Sequence, residues 1–324
     1  MLFDRFDRAV SYIRISVTDR CNLKCRYCVG GRLPFVSHKE ILRYEEIIRL
    51  ARICAGLGVN KIRITGGEPL IKKGIPVLIK EIGAIPGITD VGLTTNGVHL
   101  AGQLPDLQVA GLKRINISLD TLKRRRFAAM TGVDAFDQVW NSINLAIGSG
   151  LNPVKINTVI IDGFNDDEVL DFVKLAKTRN VEVRFIEFMP FGDSGLWESS
   201  RVITSWAIEE FIRTRYILER SSCSSGGPAM TYAIKGGAGR IGFISPLSSH
   251  LCRQCNRIRV TAQGGIRPCL FSGQEYDVKA LLRGGASDEE IKRFVKEVVR
   301  AKPQRRADMG QVRKCRMNLR QIGG

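Results

Sequence analysis

The stretch Thr18 to Cys28, TDRCNLKCRYC, holds three cysteines, Cys21, Cys25 and Cys28, at C-x3-C-x2-C spacing. Such a group in a chain without secretory features points to metal ligation rather than disulfides. A closed zinc site takes four protein ligands, but no fourth cysteine is near and the nearest histidine is His38. A four-iron cubane held by three cysteines keeps one iron open for a further ligand. A second group, Cys252, Cys255 and Cys269, has the spacing C-x2-C-x13-C. Two chemistries suit it: a zinc knuckle completed by His250, or a second three-cysteine cluster with an open iron. Arg257 and Arg259 follow directly in NRIR and alternate as strand neighbours on one face do. Their planar forks suit a triphosphate or a purine edge. In ITGGEP, Ile64 to Pro69, the glycines permit close backbone approach to a ligand.

Positioning these groups falls to a repeating pattern. Short β-branched runs, YIRISV, KIRITG, VGLTTN, RINISL, VKINTVII and VEVRFIEF, alternate with amphipathic stretches such as Tyr44 to Gly58 and Asp166 to Thr178. Asn165, in NDDE, reads as a helix N-cap with acidic first-turn residues after it. Six strand-helix units in series predict an α/β fold with a parallel sheet: a partial (β/α)6 barrel, short of eight units and open on one side. The first cysteine group follows the first strand, at the C-terminal mouth where such barrels carry their active sites. Beyond Met189 the alternation fails and Gly/Ser-rich turns take over. The expected division is residues 1–189 for the barrel and 190–324 for a C-terminal α+β region carrying the second cysteines.

The chain has 324 residues, 50 Lys and Arg against 32 Asp and Glu, and a formal charge of +18. That balance favours a polyanionic partner. The apolar fraction of 44% and charged fraction of 25% argue against disorder. No run of about 18 apolar residues and no signal-type apolar segment is present, which predicts a soluble, cytoplasmic protein with no membrane partner. Cys54 reads as a core thiol, Cys223 and Cys315 as incidental thiols, and the KRRR run from Lys123 to Arg126 as a solvated helix face.

The first cysteine motif, with Tyr27 before its third cysteine and the Gly-Gly-Glu-Pro turn after the second strand, resembles the radical S-adenosylmethionine superfamily. IRISVTDRCNLKCRYC, RITGGEPL, TTNG, VKINTV, RFIEFMP, CNRIRVT, RPCLF and a terminal QIGG occur in order. Together they resemble the GTP 3′,8-cyclases of molybdenum-cofactor biosynthesis over nearly the whole chain.

That resemblance implies two 4Fe-4S clusters, on Cys21, Cys25 and Cys28 and on Cys252, Cys255 and Cys269, the open iron of the second binding guanine. It implies S-adenosyl-L-methionine contacts at Tyr27, Gly67, Ser118 and Met189, and GTP contacts at Arg14, Arg63, Thr94, Lys155, Arg257 and Arg259. Gly323 and Gly324 would return to the active site and assist the reaction. A flavodoxin- or ferredoxin-like one-electron donor and a cyclic pyranopterin monophosphate synthase acting downstream are the implied partners, with a homodimer as a further option and nucleic acid not expected. The segment VGGRLP after Cys28 departs from the usual Met-Pro. A peptide-modifying radical enzyme and a zinc-containing RNA-binding protein are the competing readings. The first normally carries more C-terminal cysteines, and the second leaves the first cluster motif unexplained.

Overall fold

The computed structural model describes residues 1–28, 35–191, 196–221, 227–249, 251–305 and 319–323. All six expected strands form: β1 (Tyr12–Ser16), β2 (Lys61–Thr65), β3 (Asp90–Thr95), β4 (Arg114–Ser118), β5 (Val154–Ile160) and β6 (Val181–Glu187). Between them run α1 (Tyr44–Gly56), α2 (Ile75–Gly83), α3 (Leu100–Val109), the pair α4 (Arg124–Thr131) and α5 (Phe136–Gly148), and α6 (Val169–Thr178). The strands pair in parallel in chain order, as strand-helix-strand connections require.

Their period-2 pattern separates two faces. Ile13, Ile15, Ile62, Ile64, Leu93, Ile115 and Ile117 join the core packed with α1 to α5, which contribute Ile47, Leu50, Leu78, Ile82, Leu104, Val139 and Ile143. Each such side chain adds roughly 1.5–3 kcal/mol on burial. The alternate residues, Tyr12, Arg14, Lys61, Arg63, Thr94, Asn116 and Ser118, border an inner cavity. Cys54 is buried in this core, as expected of a packing thiol.

The C-terminal half contributes α7 (Ser205–Arg213), β7 (Leu218–Arg220), β8 (Met230–Ile234), β9 (Arg240–Ile244), β10 (Arg257–Val260), β11 (Gly265–Arg267), β12 (Tyr276–Asp277), α8 (Val278–Arg283) and α9 (Asp288–Arg300). It does not form a separate sheet. β10 pairs in parallel with β1 and β9 in parallel with β6, so eight parallel strands run side by side, with antiparallel neighbours beyond them. The order is β12-β11-β10-β1-β2-β3-β4-β5-β6-β9-β8-β7, an open sheet that one chain half extends at both edges.

Two local expectations differ. Asn165 makes no side-chain cap, because its buried amide serves the strand ends instead. It donates to the carbonyls of Asp120 (2.7 Å) and Val159 (2.8 Å) and accepts from Ile161 N (2.8 Å). Glu168, read as a first-turn acid, is likewise buried and accepts from Thr121 Oγ1 and Leu122 N, both at 2.6 Å. The KRRR run is largely exposed, but Lys123 and Arg126 pair with Asp167, and Arg124 with Asp134 and Asp137.

The loop after β1 is clamped by the turn after β2: Gly67 N donates to Thr18 O (2.7 Å) and Glu68 N to Arg20 O (2.8 Å). A Cβ on Gly67 would stand 2.3 Å from the Arg20 carbonyl oxygen. The first physical demand for glycine here is therefore close approach to the cysteine loop's own backbone. We expect Gly67→Ala to destabilise the fold by about 1–3 kcal/mol, as overpacking does, and to lower iron uptake by the first cysteine group. Thermal unfolding and iron assay of the reconstituted variant check this, and an unchanged Tm with full iron would contradict it.

Candidate active site

Strand register lines up the site. Arg14 on β1 lies opposite Arg63 on β2 and Arg259 on β10, and Arg259 lies opposite Arg267 on β11. The Arg63 guanidinium has room because β3 presents Gly92 beside it, where a Cβ would stand 2.6 Å from Cζ. Arg63 donates to Leu93 O (3.1 Å), Asn116 Oδ1 (3.2 Å) and the Tyr12 hydroxyl (3.3 Å). A second row runs Thr94, Asn116, Lys155, Glu182. Buried Lys155 lies 3.5 Å from Glu182, which also pairs with Arg184.

These rows border a cavity of about 260 Å³ lined, among the described residues, by nine lysine and arginine side chains and a single carboxylate, Asp120. Burial, reinforced by Arg184, brings the Lys155 ammonium down to about 7. Burial alone would raise the Tyr12 phenol, but Arg63 and Arg14 outweigh it and bring it to about 7. Among the described residues, the buried Thr94 Oγ1 and Asn157 Oδ1 of this lining have no hydrogen-bond partner. The Thr94 hydroxyl can donate to an anion and the Asn157 oxygen needs a donor, so with the cationic lining they point to an anionic occupant that also carries donor groups.

At the mouth, the first cysteine loop is tied to the end of α4 by Lys24 N to Thr131 O (2.8 Å) and Arg26 N to Met130 O (2.9 Å). The Cys21 sulfur accepts from Leu23 N (3.4 Å) and Asn96 Nδ2 (3.7 Å). Burial raises all three thiols, Cys28 to about 12, so metal binding there must displace protons. N–H groups aimed at Cys21 and the all-sulfur donor set fit a thiolate-held cluster. Tyr27 donates to Asp120 Oδ2 (2.8 Å), and Asp120, pushed up by burial to about 6, also accepts from Val159 N (2.8 Å).

Cys252, Cys255 and Cys269 border the same cavity. Burial opposes ionisation of Cys255, yet Lys302 and Arg257 more than offset it and bring its thiol down to about 6. Arg8, paired with Asp4 at 2.6 Å, donates to the carbonyls of Cys252 (2.6 Å), Pro303 (2.6 Å) and Gln304 (2.9 Å). The chain's first residues thus brace the second cysteine group. Three soft sulfurs, with the cations of Lys302 and Arg257 favouring the thiolate at Cys255, suit a thiolate-held metal centre; His250, the fourth ligand a zinc knuckle would use, lies outside the described residues.

The C-terminal tail enters the site as well. Ile322 is buried, and Gly323 O accepts from Arg259 Nη1 (2.6 Å) and Arg14 Nε (3.3 Å). Gly323 has φ +68°, and a Cβ there would stand 2.6 Å from Thr65 Cγ2. Gly324, Cys223 and Cys315 lie outside the described residues.

Of the residues singled out in the sequence, Arg14, Tyr27, Arg63, Thr94, Ser118, Lys155, Met189, Arg257 and Arg259 line the one cavity together with the second cysteines. Cys28 directly follows Tyr27 and Cys25 lies two residues before it, and Gly67 packs against the start of the loop that carries them. Sequence reasoning missed Tyr12, Lys61, Asn116, Asp120, Asn157, Arg184, Arg267 and Lys302. Tyr12 and Lys61 were within reach, since each lies two residues before an arginine on the same strand and so on the same face.

Residues 15–176 match the radical SAM superfamily and residues 181–307 match Molybdenum Cofactor Synthesis C. Two structures of SuiB from Streptococcus suis share the fold at 16% identity. The one with S-adenosylmethionine has TM-score 0.58, covering 86% of this chain and 64% of that one; the one with precursor peptide SuiA has 0.61, covering 90% and 67%. Fold and site define a radical SAM protein. GTP 3′,8-cyclases of Syntrophomonas wolfei, over all of both chains, and Pelotomaculum thermopropionicum, over 99% of both, are each 45% identical to it. That of Moorella thermoacetica is 45% identical over 93% of both. The chain belongs to the GTP 3′,8-cyclase family.

Raising pH through 7 neutralises Lys155 and ionises Tyr12, and both changes remove positive charge from the cavity. Binding of inorganic triphosphate, followed by calorimetry, should therefore weaken between pH 7 and pH 8.5, and Tyr12→Phe should flatten part of that fall. A pH-independent affinity would contradict the assignment.

Proposed function

We infer that the chain converts GTP to (8S)-3′,8-cyclo-7,8-dihydroguanosine 5′-triphosphate, the first step of molybdenum-cofactor biosynthesis. The observation that carries this is the in-register arginine row inside the radical SAM sheet, in a chain 45% identical end to end to a GTP 3′,8-cyclase. When bound, a 4Fe-4S cluster and S-adenosyl-L-methionine would supply abstraction of the ribose C3′ hydrogen, so that C3′ could bond to guanine C8, with one further electron and a proton completing the 7,8-dihydro ring.

Cys21, Cys25 and Cys28 would hold that cluster, with Tyr27, Gly67, Ser118 and Met189 around S-adenosyl-L-methionine. Arg14, Arg63, Thr94, Lys155, Arg257 and Arg259 would hold GTP, their fixed cations orienting the triphosphate so that C3′ and C8 face the mouth. The unsatisfied Thr94 hydroxyl supports its place among them. Cys252, Cys255 and Cys269 would hold a second 4Fe-4S cluster whose open iron takes the guanine. The largely buried lining would limit the access of water to the reacting carbons. Gly323, tied to Arg14 and Arg259, would with Gly324 close the substrate side.

The working division places the barrel in residues 1–189 and the cluster-bearing region in 190–324. A flavodoxin- or ferredoxin-like one-electron donor would deliver two electrons in turn, one for cleavage of S-adenosyl-L-methionine and one for the cyclised nucleotide, and a cyclic pyranopterin monophosphate synthase would consume the product. The assembly would be a cytoplasmic enzyme, monomeric or homodimeric; no described helix is long and apolar enough to cross a membrane.

Anaerobic turnover with GTP deuterated at C3′ is the direct test. Deuterium should appear in the 5′-deoxyadenosine. Unlabelled 5′-deoxyadenosine formed equally without GTP would remove GTP as substrate, and a peptide-modifying role would then need testing.

The tail gives a separate expectation. Gly323→Ala, which meets Thr65 and a left-handed backbone at once, should lower cyclised product at least tenfold while iron content stays at the unsubstituted level. Full product formation by the variant would show that the tail plays no part.

A further inference from the structure

Lys302 follows α9, and its side chain is only 2% exposed by residue. Its ammonium donates to Arg257 O (2.8 Å), Pro268 O (2.9 Å) and the Cys255 sulfur (3.3 Å). Three donors meet three acceptors, so its capacity is used in full. The two carbonyls belong to the residue two positions after Cys255 and the residue just before Cys269. The ammonium therefore joins both segments of the second cysteine group.

A buried ammonium is costly without an opposite charge beside it. Among the described residues, the one anion-forming group it donates to is the Cys255 sulfur. Two neutral carbonyls alone would brace the loop, and a shorter polar group or a water could do that. A cation aimed at a ligand sulfur does something further, because net charge and hydrogen bonds to sulfur set the potential of an iron-sulfur centre.

We propose that Lys302 is a positioning residue that tunes the second cluster. It holds the Cys255 sulfur in place and stabilises the cluster's reduced form, which carries one more negative charge, so that the reduction potential rises. The inference rests on the reading that Cys252, Cys255 and Cys269 hold a 4Fe-4S cluster. The step is a one-electron reduction: the cluster gains one electron from a one-electron donor, and no bond to Lys302 forms or breaks.

The test uses the full-length chain with Cys21, Cys25 and Cys28 replaced by alanine, so that only the second group loads iron. Iron and sulfide are assayed, and the cluster is titrated with dithionite under electron paramagnetic resonance for Lys302, Lys302→Met and Lys302→Arg. Where the Lys302 form is half reduced, the reduced-to-oxidised ratio should fall at least tenfold in Lys302→Met, about 59 mV for a one-electron couple. Lys302→Arg should restore the ratio to within threefold. If methionine leaves the ratio unchanged, or if methionine and arginine both abolish the cluster, Lys302 is a backbone brace and the proposal falls. A cluster lost with methionine but kept with arginine shows the brace alone, and the tuning proposal then falls as well. If the Lys302 form itself takes up zinc or no iron, the cluster reading fails first, and the iron and sulfide assay identifies that outcome before any titration.

Discussion

Four arginines in one register row, Arg267, Arg259, Arg14 and Arg63, are the feature around which the site is arranged. Parallel strands lie about 4.8 Å apart, so like charges in such a row cannot move far from one another. Two unit charges about 7 Å apart repel by roughly 2 kcal/mol at an effective dielectric near 20. The surroundings offset this piecemeal, through the Leu93 and Gly323 carbonyls, Asn116 and the Tyr12 hydroxyl. Among the described residues Asp120 is the one carboxylate in the lining, against nine lysines and arginines, so a positive field is left for a ligand to neutralise. A barrel interior would ordinarily be filled by branched apolar side chains; here the branched residues were moved to the helix-facing side and the cations put within.

The same strand ends fix the first cysteine loop. Glu68 is buried, and its carboxylate, raised by that burial to about 7, accepts from Leu70 N (3.0 Å), Thr95 Oγ1 (2.7 Å) and Asn96 N (2.6 Å). Asn96 in turn donates to Asn22 Oδ1 (2.8 Å) and toward the Cys21 sulfur. The turns after β2 and β3 therefore reach the sulfur through one carboxylate and one amide. This gives the Gly-Gly-Glu-Pro turn a reason that precedes any ligand: the glycines admit the loop's backbone, and the glutamate locks the neighbouring turn.

Much of this was legible in the sequence because period and chemistry agreed. Six strands followed from β-branched runs, while Arg14, Arg63 and Lys155 came from the family resemblance and fell within those runs. What escaped depended on pairing between distant segments. β9 and β10 are short, and nothing in RIGFI or RIRV says that one adds to β6 and the other to β1. Gly92 in VGLTTN carries no local sign of its role, which is to leave space for the Arg63 guanidinium of the neighbouring strand. Asn165 was misread for a related reason: a polar residue before a helix suggests a cap, but three buried strand-end groups competed for its amide more strongly. Lys302 carried no local signal, since its partners lie 34 to 47 residues away.

Neither half of the chain owns the site. The barrel strands supply Arg14, Arg63, Thr94 and Lys155, but the row is completed by Arg259 on a strand that docks on β1 from the far end of the sequence. The second cysteine group is braced by Arg8 from the N-terminus, across 244 residues to Cys252, and by Lys302 beyond α9. The tail then spans 309 residues back to Arg14. Such closures cost little more than shorter ones, because loop entropy grows only with the logarithm of length. What they add is conditionality: the cation row, the second cysteine group and the Gly323 carbonyl come together only when β10 is seated on β1. A site built this way couples the shape of its cavity to the completion of the whole sheet.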